Sequence, residues 1–450
     1  MKYKDFLENK KQINNDEGFD PIFMPDFLFD FQKLLTEWAI KGGKRAIFAD
    51  TGLGKTAMQL VFAENVVRKT NKKVLLLTPL AVSHQTIKEG DKFNIEVKRS
   101  RDGKPKGKIT VTNYEQLEKF NPDDYICCIC DESSILKNML GATRKLITRF
   151  TQKMPYRSLY TATPSPNDYI ELGTSSEVLG QLPYMDMLQQ FFRDTNNDKN
   201  PQWNKPKWEL KGHAINDFWR WVSSWAKVCR KPSDFGFDDS RFILPGLKEK
   251  VHVLKVTKPR QGEIFVVGAK TLGEQREERK RTIEQRSEEV LKLISKHPIS
   301  VIWCHYNYEA NYLNKLLPNS VNISGSDSAE IKEEKFISFS KGEIENLIIK
   351  PKIGAFGLNW QHVNHMVFFP SHSYEQYYQG IRRMYRFGQK KVVYVDIVTT
   401  EGELRVYHNM LRKAKEAENM FNKLIKYMND STVIKRKEST NIKIKIPTWV

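Results

Sequence analysis

Short apolar runs separated by helical patterns occur twice along the chain, and this repetition most constrains the fold. In the first half the runs lie at 46–48, 74–77, 109–111, 126–130 and 158–160, and in the second half at 301–303, 321–323, 347–349, 366–369 and 392–398. Such short runs, each ending in polar or turn residues, are typical of strands buried on both faces of a parallel sheet. We therefore predict an α/β chain with two parallel-sheet lobes.

The region between the two series of strands differs in composition. It contains Trp203, Trp208, Trp219, Trp221 and Trp225, which are five of the nine tryptophans, and it has several prolines and no clear strand period. We interpret it as an irregular insertion with a small hydrophobic core of its own. The alternative, an element that grips duplex nucleic acid, stays open.

The predicted organisation has four parts. These are lobe 1 over 1–175, the irregular Trp-rich insertion over 176–250, lobe 2 over 251–410, and a C-terminal helix with a basic tail over 411–450. Within lobe 2, residues 272–296 are dense in charge and are predicted to be helical. The C-terminal helix is amphipathic, because apolar residues from Leu411 to Met428 recur at helical spacing, and we expect it to pack on a lobe.

Composition excludes several classes of protein. Hydrophobic residues make up 40% and charged residues 28% of the chain, which indicates a folded globular protein rather than a disordered one. The net charge of +19 favours a polyanionic partner. No apolar run is long enough to span a membrane, and Met1 to Asp5 show no secretory signal, so we expect a cytoplasmic protein.

Five cysteines are too few for a disulfide framework in a chain of this size. Cys127 and Cys130 form a C-x-x-C pattern, but they lie inside an apolar run that reads as a strand. Residues three apart in a strand point to opposite faces, so we predict that these two do not share a metal ion.

The strongest local signal is the segment Ala49–Thr56 (ADTGLGKT), which follows one predicted strand and begins a helix. Glycines let backbone N–H groups approach phosphate oxygens, and the helix N-terminus adds a favourable dipole. Lys55 is expected to reach the β- and γ-phosphates, and Thr56 to hold Mg²⁺. The alternative is a glycine turn with an incidental Gly-Lys-Thr, which the strand-loop-helix context disfavours.

Two further clusters carry candidate chemistry. Asp131-Glu132 follows the predicted strand at 126–130, where Asp131 could bind Mg²⁺-coordinated water and Glu132 could deprotonate the attacking water. Arg383 and Arg386 are three residues apart, so on a helix they would share one face and could stabilise a γ-phosphate, while Arg382 would point elsewhere. Taken alone, the first could be an acidic turn and the second a solvated basic helix.

The ordered set of segments resembles superfamily 2 helicases, and specifically their Swi/Snf-type translocase branch, over roughly residues 27–410. The matching segments are Phe31-Gln32 (the branch's adenine-reading glutamine), Ala49–Thr56 (motif I), Thr78-Pro79-Leu80 (motif Ia), Thr112-Asn113-Tyr114-Glu115 (a strand end that contacts nucleic-acid backbone), Asp131–Asn138 (motif II), Thr161-Ala162-Thr163-Pro164 (motif III), Gly325-Ser326, Gly354–Asn359 (motif V) and Gln379–Gln389 (motif VI).

Several positions depart from the pattern of this branch. The usual Asp-Glu-Met-Gly of motif I is shortened to Asp50-Thr51-Gly52, and the usual Ala-His after the acids of motif II is Ser133-Ser134. Ala355 replaces a glycine in motif V. In motif VI, Arg382 replaces a usual acid and Tyr385 a usual histidine, although both arginine-finger positions are kept.

The resemblance implies two RecA-like lobes that close on ATP and Mg²⁺. The implied nucleotide contacts are Gln32, Thr51, Gly52, Gly54, Lys55, Thr56, Gly357 and Asn359. The implied catalytic residues are Lys55, Asp131, Glu132, Arg383 and Arg386, with Thr56 and Asp131 holding Mg²⁺ through ATP and water. The implied nucleic-acid contacts are Thr78, Pro79, Thr112, Asn113 and Tyr114.

The predicted function is a nucleic-acid-dependent ATPase that translocates on duplex DNA, with largely sequence-independent phosphate contacts. One alternative is a strand-separating DNA or RNA helicase, and one from another class is a catalytically silent nucleic-acid-binding scaffold. A nuclease that uses ATP as one module is disfavoured, since 176–250 shows no metal-ligand pattern, but a separate nuclease or replication partner stays open. The compact length indicates a bacterial or viral source, and so the cytoplasm of a bacterial or phage-infected cell.

Overall fold

The computed structural model describes residues 17–80, 82–138, 140–165, 168–195, 208–256, 268–354 and 359–437. The elements of lobe 1 are α1 (Asp30–Gly42), β1 (Lys44–Ala49), α2 (Lys55–Thr70), β2 (Val74–Thr78), α3 (Ser83–Lys92), β3 (Val97–Arg99), β4 (Ile109–Asn113), β5 (Cys127–Asp131), α4 (Ala142–Thr151), β6 (Tyr156–Tyr160), α5 (Glu171–Leu179), α6 (Tyr184–Phe191), β7 (Phe192–Asp194), β8 (Trp208–Leu210), α7 (Ile215–Trp225) and β9 (Ala226–Cys229).

Among the described residues, the sheet of lobe 1 has seven strands in the order β3-β4-β2-β5-β6-β1-β9, all parallel. Its strands are almost wholly buried, because helices cover both faces. The carboxyl ends of β1 and β5 therefore lie at the same edge, where open parallel sheets bind ligands. This topology places the predicted phosphate loop and the Asp131-Glu132 pair together.

The two faces of β5 enter different hydrophobic clusters. Cys127 packs with α1 and α2, whereas Cys128 and Cys130 pack on the opposite side with Phe48 and Leu77. Cys127 and Cys130 thus lie on opposite faces of the sheet, as predicted. All five cysteines are buried free thiols.

The Trp-rich region does not have a core of its own, so that interpretation was wrong. Trp219 and Trp225 belong to the main cluster of lobe 1, and the Trp225 ring meets the Phe48 ring of β1 edge-on at a centroid distance of 6.2 Å. β9 pairs in parallel with β1, which makes it a strand of the same sheet. The region is therefore built into lobe 1, while Trp203 lies outside the described residues.

Lobe 2 repeats the alternation of strands and helices. Its elements are β10 (Leu247–Leu254), α8 (Leu272–Arg281), α9 (Ile283–Ile294), β11 (Ser300–Trp303), α10 (Asn307–Leu316), β12 (Ser320–Ile323), α11 (Ala329–Ser340), β13 (Asn346–Ile349), α12 (Pro351–Gly354), β14 (His365–Phe368), α13 (Tyr374–Ile381), β15 (Val393–Thr400) and α14 (Leu404–Lys437). Among the described residues, six parallel strands are ordered β10-β15-β14-β11-β13-β12. The predicted pair of parallel-sheet α/β lobes is confirmed, and the charged segment at 272–296 is helical as predicted, with a break at Thr282.

The predicted C-terminal helix is also confirmed, as α14, and it contacts both lobes. Met410 lies in the main cluster of lobe 2, whereas Met420 and Leu424 lie in that of lobe 1. Arg230 Nη1 of lobe 1 donates a hydrogen bond to Asn422 Oδ1 of the helix at 3.1 Å. In the described part of the chain, no helix combines the length and the apolar character that a membrane crossing requires.

Candidate active site

The phosphate loop connects β1 to α2 in a conformation that depends on glycine. Gly52 and Gly54 adopt positive φ angles of 90° and 77°. A Cβ atom on Gly54 would lie 2.2 Å from Gln32 Nε2, so a side chain there would displace Gln32 from beneath the loop. The Gln32 amide donates to Leu53 O at 2.9 Å and accepts from Phe29 N at 2.9 Å. Gln32 thus supports the loop in this structure, and its predicted contact with adenine stays a prediction.

Lys55 begins α2 and turns back towards the loop. Its Nζ donates to Ala49 O at 3.0 Å and to Asp50 O at 3.4 Å. Burial lowers the pKa of Lys55, and the nearby carboxylates, led by Glu132, oppose that shift. Lys55 therefore lies within reach of both the loop and the acidic pair.

The acidic pair lies at the end of β5. Gln59 Nε2 of α2 donates to Asp131 Oδ1 at 2.6 Å, and Thr161 Oγ1 donates to Glu132 Oε2 at 3.4 Å. Burial raises the pKa of Asp131 to about 7, and the adjacent Glu132 adds to the effect. Glu132 has a φ of 48°, a left-handed conformation that is uncommon outside glycine and that turns its carboxylate away from the strand direction. The positive charge of Lys55 only partly offsets the repulsion between the two acids.

The predicted helical placement of Arg383 and Arg386 was wrong. Helix α13 ends at Ile381, and both arginines lie in the turns that follow it. Arg383 Nη2 donates to Gln379 Oε1 at 2.8 Å and Nε to Gln379 O at 3.1 Å. Burial lowers the pKa of Arg383 to about 10, and Glu132 opposes the shift. Glu132 also acts on the pKa of Arg386, which burial lowers, so both arginines lie in the field of the lobe 1 acid.

Arg382 was predicted to point away from the site, and this too was wrong. Its Nη2 donates to Asp50 Oδ2 of the phosphate loop at 2.8 Å, and Tyr378 OH donates to Asp50 Oδ1. The Arg382 guanidinium also lies over the Tyr378 ring, 4.9 Å from its centroid. Asp50 and Tyr378 were not predicted from the sequence. The sequence did contain a signal for the contact with Asp50, because Arg382 stands where the family usually has an acid. A buried arginine requires a nearby carboxylate.

Other contacts also join the two lobes. Gln379 Nε2 of lobe 2 donates to Thr163 Oγ1 of lobe 1 at 3.3 Å. Lys137 of lobe 1 forms an ion pair with the buried Glu375 of lobe 2. The turns at 382–389, which carry Arg382, Arg383 and Arg386, are called the arginine segment. A Cβ atom on Gly52 would lie 2.8 Å from Phe387 N, so the arginine segment lies directly against the phosphate loop. The structure thus shows the lobes in contact across the candidate site.

The predicted nucleic-acid contacts lie at the carboxyl ends of β2 and β4. Three of the four buried side chains use their hydroxyls inside the lobe: Thr78 with Ser83 at 2.8 Å, Thr112 with Ser100 O at 2.8 Å, and Tyr114 with Asp131 O at 2.5 Å. Asn113 is also buried, but its Oδ1 has no hydrogen-bond partner among the described residues, and Pro79 is half-buried. Their contact with nucleic acid stays a prediction.

Two predicted nucleotide contacts lie in motif V. Asn359 is exposed, and its contact with nucleotide stays a prediction. Gly357 lies outside the described residues, as does Ala355. Thr56 is half-buried at the start of α2, next to Lys55.

The chain thus has two parallel α/β lobes, with the predicted phosphate loop and the acidic pair in one and the arginine segment in the other. Residues 284–388 match the family model of the helicase conserved C-terminal domain, from α9 through most of the arginine segment. Most of lobe 2 is therefore similar to a helicase C-terminal domain, which supports the resemblance to helicases.

Among solved structures, the chain is similar to the Sulfolobus solfataricus SWI2/SNF2 ATPase core in complex with dsDNA. The TM-score is 0.42 and the sequence identity 16%, over 85% of this chain and 90% of that chain. No curated protein sequence matches the chain.

Proposed function

We propose that the chain is an ATP hydrolase of the Swi/Snf-type branch that translocates on duplex DNA. The observation that carries the proposal is the contact of the arginine segment with the phosphate loop, through Arg382–Asp50 and Phe387–Gly52. Groups for phosphate binding and for water activation come from lobe 1, and the arginines come from lobe 2. A site divided in this way can be assembled or taken apart only by movement of the lobes.

The side chains present fit ATP with Mg²⁺. The Thr51 hydroxyl is buried in the loop without a hydrogen-bond partner among the described residues. The raised pKa of Asp131 indicates a carboxylate that a cation would stabilise. Thr56 and Asp131 would hold the ion, and Gly52, Gly54 and Lys55 would face the phosphates. When bound, Mg²⁺ supplies neutralisation of phosphate charge.

The remaining steps belong to residues of the chain. Lys55 balances phosphate charge, and Glu132 orients the attacking water and takes its proton. Arg383 and Arg386 stabilise the charge that develops on the transferred phosphoryl group. Because both arginines come from lobe 2, the rate of hydrolysis depends on closure, and closure is what DNA bound across the lobes would favour.

Duplex DNA is the proposed track. The net charge of +19 favours a polyanion. The carboxyl ends of β2 and β4 carry the lobe 1 residues that are proposed to contact DNA. Contacts mainly to phosphates would make binding weaken steeply with salt, with a log–log slope of about 0.9 per phosphate on duplex DNA.

The test is steady-state ATP hydrolysis with duplex DNA, single-stranded DNA, forked DNA and RNA compared side by side. Duplex DNA should stimulate hydrolysis most, and Lys55→Ala should be inactive with all four. Displacement of a triplex-forming strand from duplex DNA then measures translocation. Stimulation by RNA alone would favour the strand-separating helicase, and hydrolysis with none of the four would favour the silent scaffold.

A further inference from the structure

Three histidines and two acids converge in lobe 2, on the face of the sheet that α9 covers. His252 lies on β10, His365 begins β14, Asp396 lies on β15, and His297 lies in the segment between α9 and β11. Glu289 of α9 contacts His252. None of these residues takes part in the proposed ATP site, and no motif covers them. We propose that His297, His365 and Asp396 are ligands of a Zn²⁺ ion.

The spacing of the ligand atoms suits one ion. One ring nitrogen of each of the two histidines and a carboxylate oxygen of Asp396 lie within 4.8 Å of one another. His365 Nε2 is 3.0 Å from Asp396 Oδ2. Two ligand atoms bound to one Zn²⁺ at about 2.0–2.1 Å in tetrahedral geometry are roughly 3.3 Å apart, so this pair is close to its bound separation.

The surrounding hydrogen bonds hold these ligands in the required orientation. Ser300 Oγ pairs with His365 Nδ1 at 2.7 Å, which leaves Nε2 directed at Asp396. His252 Nε2 pairs with the other Asp396 oxygen at 2.7 Å, and Glu289 lies 3.3 Å from His252 Nδ1. Metal-binding histidines and carboxylates are commonly fixed by such outer partners. A hydrogen-bonded pair alone would not require this second layer.

His297 is the ligand that must move. Its ring stacks on that of His365, with centroids 3.8 Å apart and planes at 11°, so the in-plane lone pairs of the two rings run nearly parallel. A shared ion requires the His297 ring to tilt out of the stack. Its place in the segment between α9 and β11, rather than within either element, permits that tilt.

Nitrogen ligands favour Zn²⁺ over the Mg²⁺ of the ATP site, which prefers oxygen. With three protein ligands, water would fill a fourth position. Such an ion would join β14, β15 and the turn before β11, and its effect would be on the stability of lobe 2. Elsewhere among the described residues, no other group of three His, Cys, Asp or Glu side chains has this spacing.

The test uses the full chain, with any affinity tag removed, stripped with a chelator and titrated with Zn²⁺ against a chromogenic competitor. Wild type should bind about one equivalent, and its thermal midpoint should rise with Zn²⁺. His297→Ala should lower the affinity by about 100-fold or more, whereas the exposed His213→Ala serves as control and should match wild type. Co²⁺ should give a tetrahedral visible spectrum in wild type and in the control only.

Equal Zn²⁺ binding by wild type and His297→Ala, or binding by neither, would overturn the proposal and leave a hydrogen-bonded cluster. A second variant, Asp396→Asn, retains a similar shape and should also lose Co²⁺ binding. Neither Zn²⁺ nor Co²⁺ binding depends on ATP hydrolysis. The zinc site can therefore be disproved without affecting the proposed function, and the proposed function can be disproved without affecting the zinc site.

Discussion

The two lobes bury charge in different ways. In lobe 2, Arg286 forms an ion pair with Glu309 at 2.9 Å, and Arg279 pairs with Glu403, with every side chain at most 7% exposed. Burial alone would raise the pKa of Glu309, but Arg286 and Arg279 lower it. In lobe 1, by contrast, two acids lie side by side at the end of β5, and the pKa of Asp131 is raised to about 7.

The difference separates charges that support a fold from charges that support chemistry. A buried acid and base in contact satisfy each other and need nothing further. Adjacent buried acids repel each other and favour a bound cation. The acidic pair of lobe 1 thus favours a bound cation, whereas the Arg286–Glu309 and Arg279–Glu403 pairs of lobe 2 already contain their counter-charges.

The largest expected effect is the loss of the lobe 2 arginines from the divided site. Arg383→Lys and Arg386→Ala should each lower DNA-stimulated hydrolysis by about 10³–10⁵-fold, since a lysine cannot reproduce the planar guanidinium. DNA binding, measured by fluorescence anisotropy, should be nearly unchanged. Arg276→Ala, at an exposed position of α8, is the control and should hydrolyse ATP normally. Near-normal hydrolysis by both site variants would show that the arginines do not reach the phosphates.

Glu132→Gln should lower turnover by about 10²–10⁴-fold, because the amide cannot accept the proton of the attacking water. The side chain keeps its shape, so ATP binding, measured by fluorescent-nucleotide displacement, should persist. Lys55→Ala should instead weaken ATP binding itself. If Glu132→Gln turned over ATP at the wild-type rate, the acidic pair would belong with the structural charges of lobe 2.

Breaking a structural pair should affect stability rather than chemistry. Arg286→Met leaves Glu309 buried without its base and should lower the free energy of unfolding by about 3–5 kcal/mol in denaturant titrations. As a control, Arg412→Met in the exposed Arg412–Glu416 pair should lower the free energy of unfolding by at most about 0.5 kcal/mol. At low temperature, the remaining folded Arg286→Met protein should keep its hydrolysis rate. A selective loss of hydrolysis would mean that lobe 2 charges also serve the site.

The Arg382–Asp50 pair crosses from one lobe to the other and should show measurable coupling. A double-mutant cycle of Arg382→Ala and Asp50→Ala should give a coupling free energy of about 1.5–3 kcal/mol. The measured quantity is the free energy of lobe closure without nucleotide, followed by fluorescence energy transfer between the lobes. The effect of the two changes together should therefore be smaller than their sum. Strict additivity would show that the pair does not hold the lobes together.

The last prediction concerns pH. Burial raises the folded pKa of Asp131 to about 7, above the ordinary value of 3.8 for an aspartate, so the folded protein binds an extra proton between these pH values. The stability of the nucleotide-free chain should then fall as pH rises from about 4 to about 7 and level off above. Mg²⁺-nucleotide, which requires the ionised form, should bind about tenfold more tightly near pH 8 than near pH 6. Both trends should disappear in Asp131→Asn.

The sequence predicted the lobe 1 half of the site well, because that half depends on local rules. Glycines between a strand and a helix specify the loop from Gly52 to Thr56, and an acidic pair directly after an apolar run specifies a strand end. The strands themselves were short, continuous and buried on both faces, which is the pattern that a parallel sheet produces.

The errors arose where distant residues decide the local conformation. Gly380 lies within α13, one residue before the helix ends at Ile381, and no glycine or proline follows until Gly388. The turn beyond the helix is held by Gln389 Nε2, which donates to Gln361 O and Val363 O at 3.1 and 2.9 Å. Likewise, β9 is a strand because β1 lies beside it, and its four residues carry no clear period. Pairing between segments far apart in sequence cannot be read from either segment alone.

The C-terminal helix sets a limit on how the lobes can separate. Met410 is anchored in one lobe and Met420 in the other. The two residues are ten positions apart on the helix, which corresponds to about 15 Å along an element that resists stretching. A pure translation of the lobes would have to pull one of these methionines out of its core. A rotation of the lobes about the two anchored positions leaves both methionines in place. Helix α14 therefore restricts the opening of the lobes to a rotation.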